Sequence, residues 1–250
     1  MPAELATRPV PDVAANLRAV RERIAAACRA TGRDPAEVEL VAVSKYADVE
    51  AIRAAAAAGQ RAFGENRMQE AMPKTEALAD LTDLRWHLIG HLQTNKARHA
   101  SGPFALIESV DSLRLADAIG RRADWTGRPQ AVLLQINVAL DRSKFGFTEE
   151  DVMTDYPALA ALPGIQVVGL MTIGPLVPDP ELSRPHFARL RAVRDRLDAL
   201  GVAPPLAELS MGMSADFEVA IQEAATIVRV GTSIFGVSGA RRDGRPTAGG

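Results

Sequence analysis

Cysteine is nearly absent from this 250-residue sequence, as are long apolar runs, tryptophan, tyrosine and any excess of one charge. The single cysteine, Cys28, cannot close an internal disulfide. Its alanine-rich setting, "RIAAACRATG", predicts a helix face where the thiol packs in the core, in a reducing compartment. No stretch approaches the roughly 20 apolar residues of a membrane span. The start, "MPAELATRPVPD", has no apolar segment of the kind that directs secretion. A soluble cytoplasmic protein with no membrane partner is expected. Net charge is −2, and Lys and Arg gather only in short clusters, so nucleic-acid binding through phosphate contacts is not expected. There is no P-loop, no GxSxG, no cysteine pair and no GxGxxG after the first strand-like run. His87 and His91 have the spacing of two ligands on a helix. The intervening "LIG" lacks the glutamate of a zinc-protease motif, and no metal is expected.

What is present is a regular alternation. Apolar or β-branched runs fall at 38–43, 61–64, 85–89, 104–109, 131–137, 165–171, 206–210 and 226–230. Amphipathic stretches of helical length lie between them, among them 48–58, 66–80, 111–123, 149–162 and 181–200. Asp48 and Asp111 stand where N-caps belong, and Thr148 with Asp151 has the spacing of a capping box. Gly59, Gly120, Gly164 and Gly201 fall near segment ends, where a left-handed residue stops a helix. Strand then helix, about eight times over, predicts parallel pairing and an α/β fold: a single (β/α)8 TIM barrel. A doubly wound open sheet is the alternative. The segment "PDVAANLRAVRERIAAACRATG" reads as an extra N-terminal helix. The expected organisation is a flexible arm over 1–11, the barrel over 12–238 and a disordered tail over 239–250.

In such a barrel, function belongs at the C-terminal ends of the strands. Lys45 follows the first run, Asn66 ends "GEN" after the second, and His87 lies late in the third. Asn137 ends the fifth run, and Met171 and Thr172 end the sixth. "SMGMS" (210–214) follows the seventh and "RVGTS" (229–233) the eighth. Loops after strands seven and eight often hold phosphate. Gly212 and Gly231 would let the backbone approach an anion, Ser214 and Thr232 add hydroxyls, and Arg229 adds a permanent charge. Across the mouth from that phosphate site, Lys45 could reach a carbonyl, and a neutral amine forms an imine. Phosphate plus imine is how pyridoxal phosphate (PLP) is held. Each residue also has a plainer reading: Ser214 and Asn66 as helix caps, Arg229 as half of an ion pair, Lys45 as a solvated loop residue. Convergence on one rim is what singles them out.

The motifs "LVAVSKYADVEAIRAAAAAGQRAFGENRMQE", "WHLIGHLQTNKAR", "SVDSL", "LLQINVALDRSKFGF", "GLMTIGP" and "LSMGMSADFEVAIQEAATIVRVGTSIFG" resemble those of the YggS/PROSC family of pyridoxal phosphate homeostasis proteins. The resemblance runs from about residue 12 to residue 236. It implies a barrel of the alanine-racemase type carrying PLP as an internal aldimine on Lys45. It also implies that Ser214, Gly231 and Thr232 hold the phosphate and that Arg229 faces the pyridine nitrogen. Asn66, His87, Met171 and Met211 match positions lining the pocket. Two departures stand out: Tyr46 where a threonine is common, and "TIGP" after the sixth strand. The family resemblance further implies a monomer that meets PLP-dependent apo-enzymes transiently.

An arginine against the pyridine nitrogen keeps that nitrogen unprotonated, which weakens the ring as an electron sink. The sequence ends soon after "SIFG", without the β-rich domain whose residues supply a second base in alanine-racemase-type enzymes. The expectation is therefore a non-catalytic PLP carrier with no catalytic residues, which holds the cofactor and supplies or buffers it for apo-enzymes. A weak amino-acid racemase or lyase using Lys45 as its base is the alternative. A class I aldolase, which also needs an imine lysine and a phosphate site, is a third.

Overall fold

The structure, a computed structural model, describes residues 11–123, 127–139, 141, 145–175 and 177–236. Residues 1–10 of the expected arm, all of the expected tail, and Arg142 to Lys144 of the "DRSKFGF" motif lie outside the described residues. Among the described residues, no helix is long and apolar enough to cross a membrane.

Eight strands form a closed, all-parallel barrel in chain order: β1 (Glu39–Val43), β2 (Ala62–Glu65), β3 (Arg85–Leu88), β4 (Leu106–Val110), β5 (Gln130–Gln135), β6 (Ile165–Met171), β7 (Glu208–Ser210) and β8 (Ile227–Val230). Each lies within about two residues of a predicted run, and β8 returns to pair with β1. Alternation along the strands sorts residues to two sides. Ala42 opposite Phe63 faces the surrounding helices. Val41 opposite Arg229, Gly64 opposite His87 and Met171 opposite Ser210 face the bore. An inner apolar cluster of Val41, Ala62, Leu106, Leu133, Met171 and Ile227 packs the bore, so the barrel is a filled core rather than a pore.

The extra helix α1 (Val13–Ala30) precedes β1 and is capped by the Asp12 carboxylate, which accepts from Ala15 N at 2.9 Å. Its buried positions, Val13, Leu17, Val20, Ile24, Ala27 and Cys28, recur at three- and four-residue intervals and so form one stripe. Cys28 is fully buried in it, and burial pushes its thiol pKa up. Helices α2 (Val49–Ala57), α3 (Met68–Ala77), α4 (Leu113–Ala123), α5 (Glu149–Ala161), α6 (Arg184–Asp198), α7 (Phe217–Gln222) and α8 (Thr232–Phe235) follow.

Two of the three expected caps form as read. Asp48 caps α2, accepting from Ala51 N at 2.9 Å. At α5 the Asp151 amide donates to Thr148 Oγ1 at 3.0 Å while the Thr148 hydroxyl donates back to the Asp151 carboxylate. Asp111 does not cap α4, because its carboxylate is taken by His91. Ser112, one residue on, accepts from Leu115 N instead. Gly120 lies inside α4 rather than at its end. A Cβ there would meet the Pro163 carbonyl oxygen at 2.5 Å, so close packing and not a helix stop requires glycine. The third strand is followed by a short 3-10 turn, Thr94–His99, rather than an α-helix. The chain leaving β3 stays on the rim, with Gly90 so close to Asn66 that a Cβ would meet that residue's carbonyl oxygen at 2.2 Å.

Candidate cofactor-binding site

Lys45 leaves the C-terminal end of β1, and the residue before it is held from every side. Ser44 N donates to Gly64 O at 2.9 Å, and its hydroxyl donates to Glu65 Oε1 at 2.6 Å. The Ser44 carbonyl accepts from Lys74 Nζ at 2.7 Å and from Ala47 N. Lys74, on α3, also donates to Glu65 Oε1 at 2.7 Å, so one buried carboxylate ties β2, α3 and the β1 exit together. The Lys45 side chain is half-buried and has no hydrogen-bond or ion-pair partner among the described residues. Its amine lies 5.2 Å from the ring centroid of the exposed Tyr46. An anchored backbone with an uncommitted amine is what a nucleophilic lysine needs, and a solvated loop lysine has no such anchor.

The β7 and β8 exits meet beside it. Gly231 N donates to Ser214 Oγ at 3.3 Å. Ser214 is not a helix cap, since α7 begins only at Phe217 with Asp216 ahead of it. Asp216 instead braces the loop, accepting from Met213 N at 2.7 Å and from the buried Ser183 hydroxyl at 2.9 Å. Gly231 packs on β1, where a Cβ would lie 3.2 Å from Val43 O, and Thr232 opens α8. Linear order along the chain places Lys45 across the mouth from this loop. The closed sheet corrects that: β1 and β8 are neighbours, so the strand carrying Lys45 stands beside Gly231.

Arg229 enters the bore from β8, its guanidinium donating to Thr172 O at 2.7 Å and to the Ser210 hydroxyl. Glu108, fully buried on β4, accepts from Ser210 at 2.6 Å and lies 3.7 Å from Arg229. His87 Nδ1 meets the other Glu108 oxygen at 2.8 Å. An ionised carboxylate only accepts, so the hydrogen is assigned to Nδ1. Burial alone would raise the Glu108 pKa. The hydrogen bond and charge of His87, the Arg229 charge and the Ser210 hydroxyl outweigh it and hold the carboxyl below the usual range. Burial lowers the Arg229 pKa, opposed by Glu108 and Asp216.

Met171 and Met211 are both fully buried, Met171 in the bore and Met211 in the outer core. Asn66 does not cap α3, whose N-cap position is Arg67 without a side-chain bond. It lines a rim cleft of about 430 Å³ together with Arg67, Gln69, His91, Gln93 and Lys96. His87 and His91 serve different carboxylates, Glu108 and Asp111, and His91 stacks on Phe145 with ring centroids 3.6 Å apart. Among the described residues no cluster of three or more His, Cys, Asp or Glu could hold a metal ion. Asn137 binds the loop after β5, donating to Asp141 O at 2.8 Å.

Comparison with known proteins now bears on this geometry. The family profile for the alanine racemase N-terminal domain matches residues 15–239. A pyridoxal phosphate homeostasis protein of Aquifex aeolicus is 46% identical over 221 residues, covering 88% of this chain and 96% of the relative. This chain belongs to the pyridoxal phosphate homeostasis protein family. PipY of Synechococcus elongatus PCC7942, solved with PLP bound, superposes on this homeostasis-family chain with a TM-score of 0.79 at 43% identity. That match covers 90% of this chain and 100% of PipY. An alanine racemase of Clostridium difficile shares the fold alone, at 17% identity and a TM-score of 0.70, covering 93% of this chain and 60% of the racemase.

Within this member of the family, the side chains that went unread in the sequence are the partners of those that were read. Glu108 holds His87 and Arg229, Glu65 and Lys74 hold Ser44 just before Lys45, and Asp216 braces the loop that carries Ser214. Glu108 had a usable signal: an acid within an apolar run, on a strand buried on both faces, requires a buried counter-charge.

Proposed function

We propose that this protein binds pyridoxal 5'-phosphate and serves PLP homeostasis as a non-catalytic carrier, with the cofactor held covalently by Lys45. The observation that carries the reading is the Lys45 amine, free of hydrogen bonds and ion pairs among the described residues, on an immobilised backbone at the exit of β1, the strand paired with the β8 that carries Arg229 and leads into Gly231. The residues present fit the group. The Ser214 hydroxyl hydrogen and the Thr232 hydroxyl at the start of α8 offer donors to a phosphate, and the Gly231 amide, bonded to Ser214 Oγ, would exchange that partner for the anion. Arg229 keeps N–H donors beyond its two bonds for the pyridine nitrogen. In this reading Asn66 borders the pocket on the rim and His87 and Met171 close it from within the bore, while Met211, buried in the outer core, backs the loop after β7 and does not line the pocket. When bound, PLP supplies an aldehyde. Lys45 is the residue whose amine would condense with it, its two nitrogen-bound hydrogens leaving with the aldehyde oxygen as water.

A guanidinium does not give up its proton, so Arg229 leaves the ring nitrogen unprotonated and the ring a weak electron sink. That favours holding PLP and releasing it to apo-enzymes over amino-acid chemistry. The carrier acts as a cytoplasmic monomer that meets its acceptors transiently. Protein incubated with PLP is expected to turn yellow, and borohydride is expected to fix one pyridoxyl group on the peptide containing Lys45. Colourless protein without the adduct would overturn the proposal. α-Hydrogen exchange into heavy water across an amino-acid panel separates carrier from racemase. The carrier reading expects none above free PLP.

A further inference from the structure

A line of charged groups runs through the bore. At the N-terminal end of the strands Arg85 on β3 pairs with Glu39 on β1. His87 Nε2 lies 3.8 Å from Glu39, beyond hydrogen-bond reach, while its Nδ1 is bonded to Glu108. Glu108 spans the barrel from β4 to Ser210 on β7 and Arg229 on β8. His87, Glu108, Ser210 and Arg229 are all buried, in a bore otherwise packed with Val, Ala, Leu, Met and Ile. An apolar side chain at position 108 would fill the same space without desolvating a charge. It would also leave Arg229 as an unpaired cation.

We propose that Glu108 is a positioning residue for the cofactor. It orients the Arg229 guanidinium through Ser210 and supplies the counter-charge that sets how strongly Arg229 acts on the pyridine nitrogen of bound PLP; His87 holds Glu108 in that role. The inference rests on the reading that Arg229 faces the ring nitrogen. With Glu108 ionised, the ring meets a nearly neutral pair. Without it, the ring meets a bare cation in a dry bore, and a conjugated, protonated Lys45 imine becomes more acidic. The other charged groups around the pair are Glu39 from β1, Arg85 and His87 from β3 and Asp216 ahead of α7. The acids of β2 and β7 are engaged elsewhere, Glu65 with Lys74 and Glu208 with Thr226, and β5 and β6 carry no ionisable side chain.

The test follows the imine absorption bands of the PLP-loaded protein across pH. In Glu108→Gln the balance between protonated and unprotonated bands is expected to move to lower pH, by on the order of one unit. The displacement is expected to vanish when Glu108→Gln is made in an Arg229→Gln background. Superimposable wild-type and Glu108→Gln curves overturn the inference. So does a displacement that persists without Arg229, because Glu108 would then reach the cofactor by another route. A purely structural role would lower stability and leave the curves in place. Should Glu108→Gln not fold, Glu108→Asp carries the comparison. It keeps the charge but withdraws it from Ser210 and Arg229, and a smaller displacement in the same direction is expected. Wild-type protein that fails to yellow with PLP refutes the binding proposal itself. Yellow wild type with an unmoved variant refutes only the role of Glu108.

Discussion

Lys74→Met is expected to cost about 3–5 kcal/mol of folding stability, the usual loss when one partner of a buried ion pair is removed. Glu65 is fully buried and Lys74 is 14% exposed, so solvent does little to screen the pair. Among the described residues the carboxylate's Oε2 has no hydrogen-bond partner, and without Lys74 the one partner left to the carboxylate is the Ser44 hydroxyl. The Ser44 carbonyl also loses its lysine. The expected consequence is a lower midpoint in urea unfolding of the apoprotein together with slower PLP uptake, since Ser44 is what fixes Lys45. Adding Glu65→Leu to Lys74→Met is expected to restore much of the stability, because no buried charge is then left unpaired, but not the uptake rate. Wild-type stability in Lys74→Met would mean that the Glu65–Lys74 pair adds nothing net to folding and that the anchor rests on Ser44 alone.

The same residues show how far the fold and site could be read in advance. Strand positions were legible because each strand of a closed parallel barrel is buried on both faces and reads as a short apolar run bounded by polar residues. The candidate site residues could be singled out because chemistry stands out against that background: a lysine after a strand, an arginine within one, glycines with hydroxyls beside them. Their supports could not. Lys74 sits on α3, where one lysine looks like any other solvated helix residue, and only the three-dimensional packing sets it against Glu65. Nothing in the sequence marks Ser44, yet its backbone and hydroxyl make the contacts that immobilise the chain at Lys45. The cap of α4 moved by one residue for a similar reason. Asp111 and Ser112 are adjacent in the chain, and His91, distant in sequence, takes the Asp111 carboxylate and leaves the cap to the Ser112 hydroxyl. The expected barrel closure does bring β8 to β1, and it is the placement of Lys45 across the mouth from the β8 loop that this neighbour relation overturns.

Gly212→Ala should be among the most damaging single-methyl changes available in this chain. Gly212 ends β7's exit at φ +90°, a backbone conformation that costs a non-glycine residue on the order of 1–3 kcal/mol. The added Cβ would also stand 2.6 Å from the Ala220 Cβ and 2.9 Å from the Phe217 Cα, both on α7. Neither atom is the end of a flexible side chain, so α7 or the loop must shift, and overpacking of this kind costs about 1–3 kcal/mol more. The shift would fall on the site, because the Gly212 carbonyl accepts from Arg229 N at 3.1 Å and Ser214 lies two residues on. Gly32→Ala is the matched control: its φ is +70°, with nothing within 4 Å of the added carbon. Thermal unfolding is expected to place Gly212→Ala well below Gly32→Ala, and PLP titration to show weakened binding in Gly212→Ala alone. Equal losses in the two variants would mean that the loop carrying Ser214 yields to α7 at little cost. A phosphate cup built on that loop would then have to be ordered by its ligand rather than by the fold.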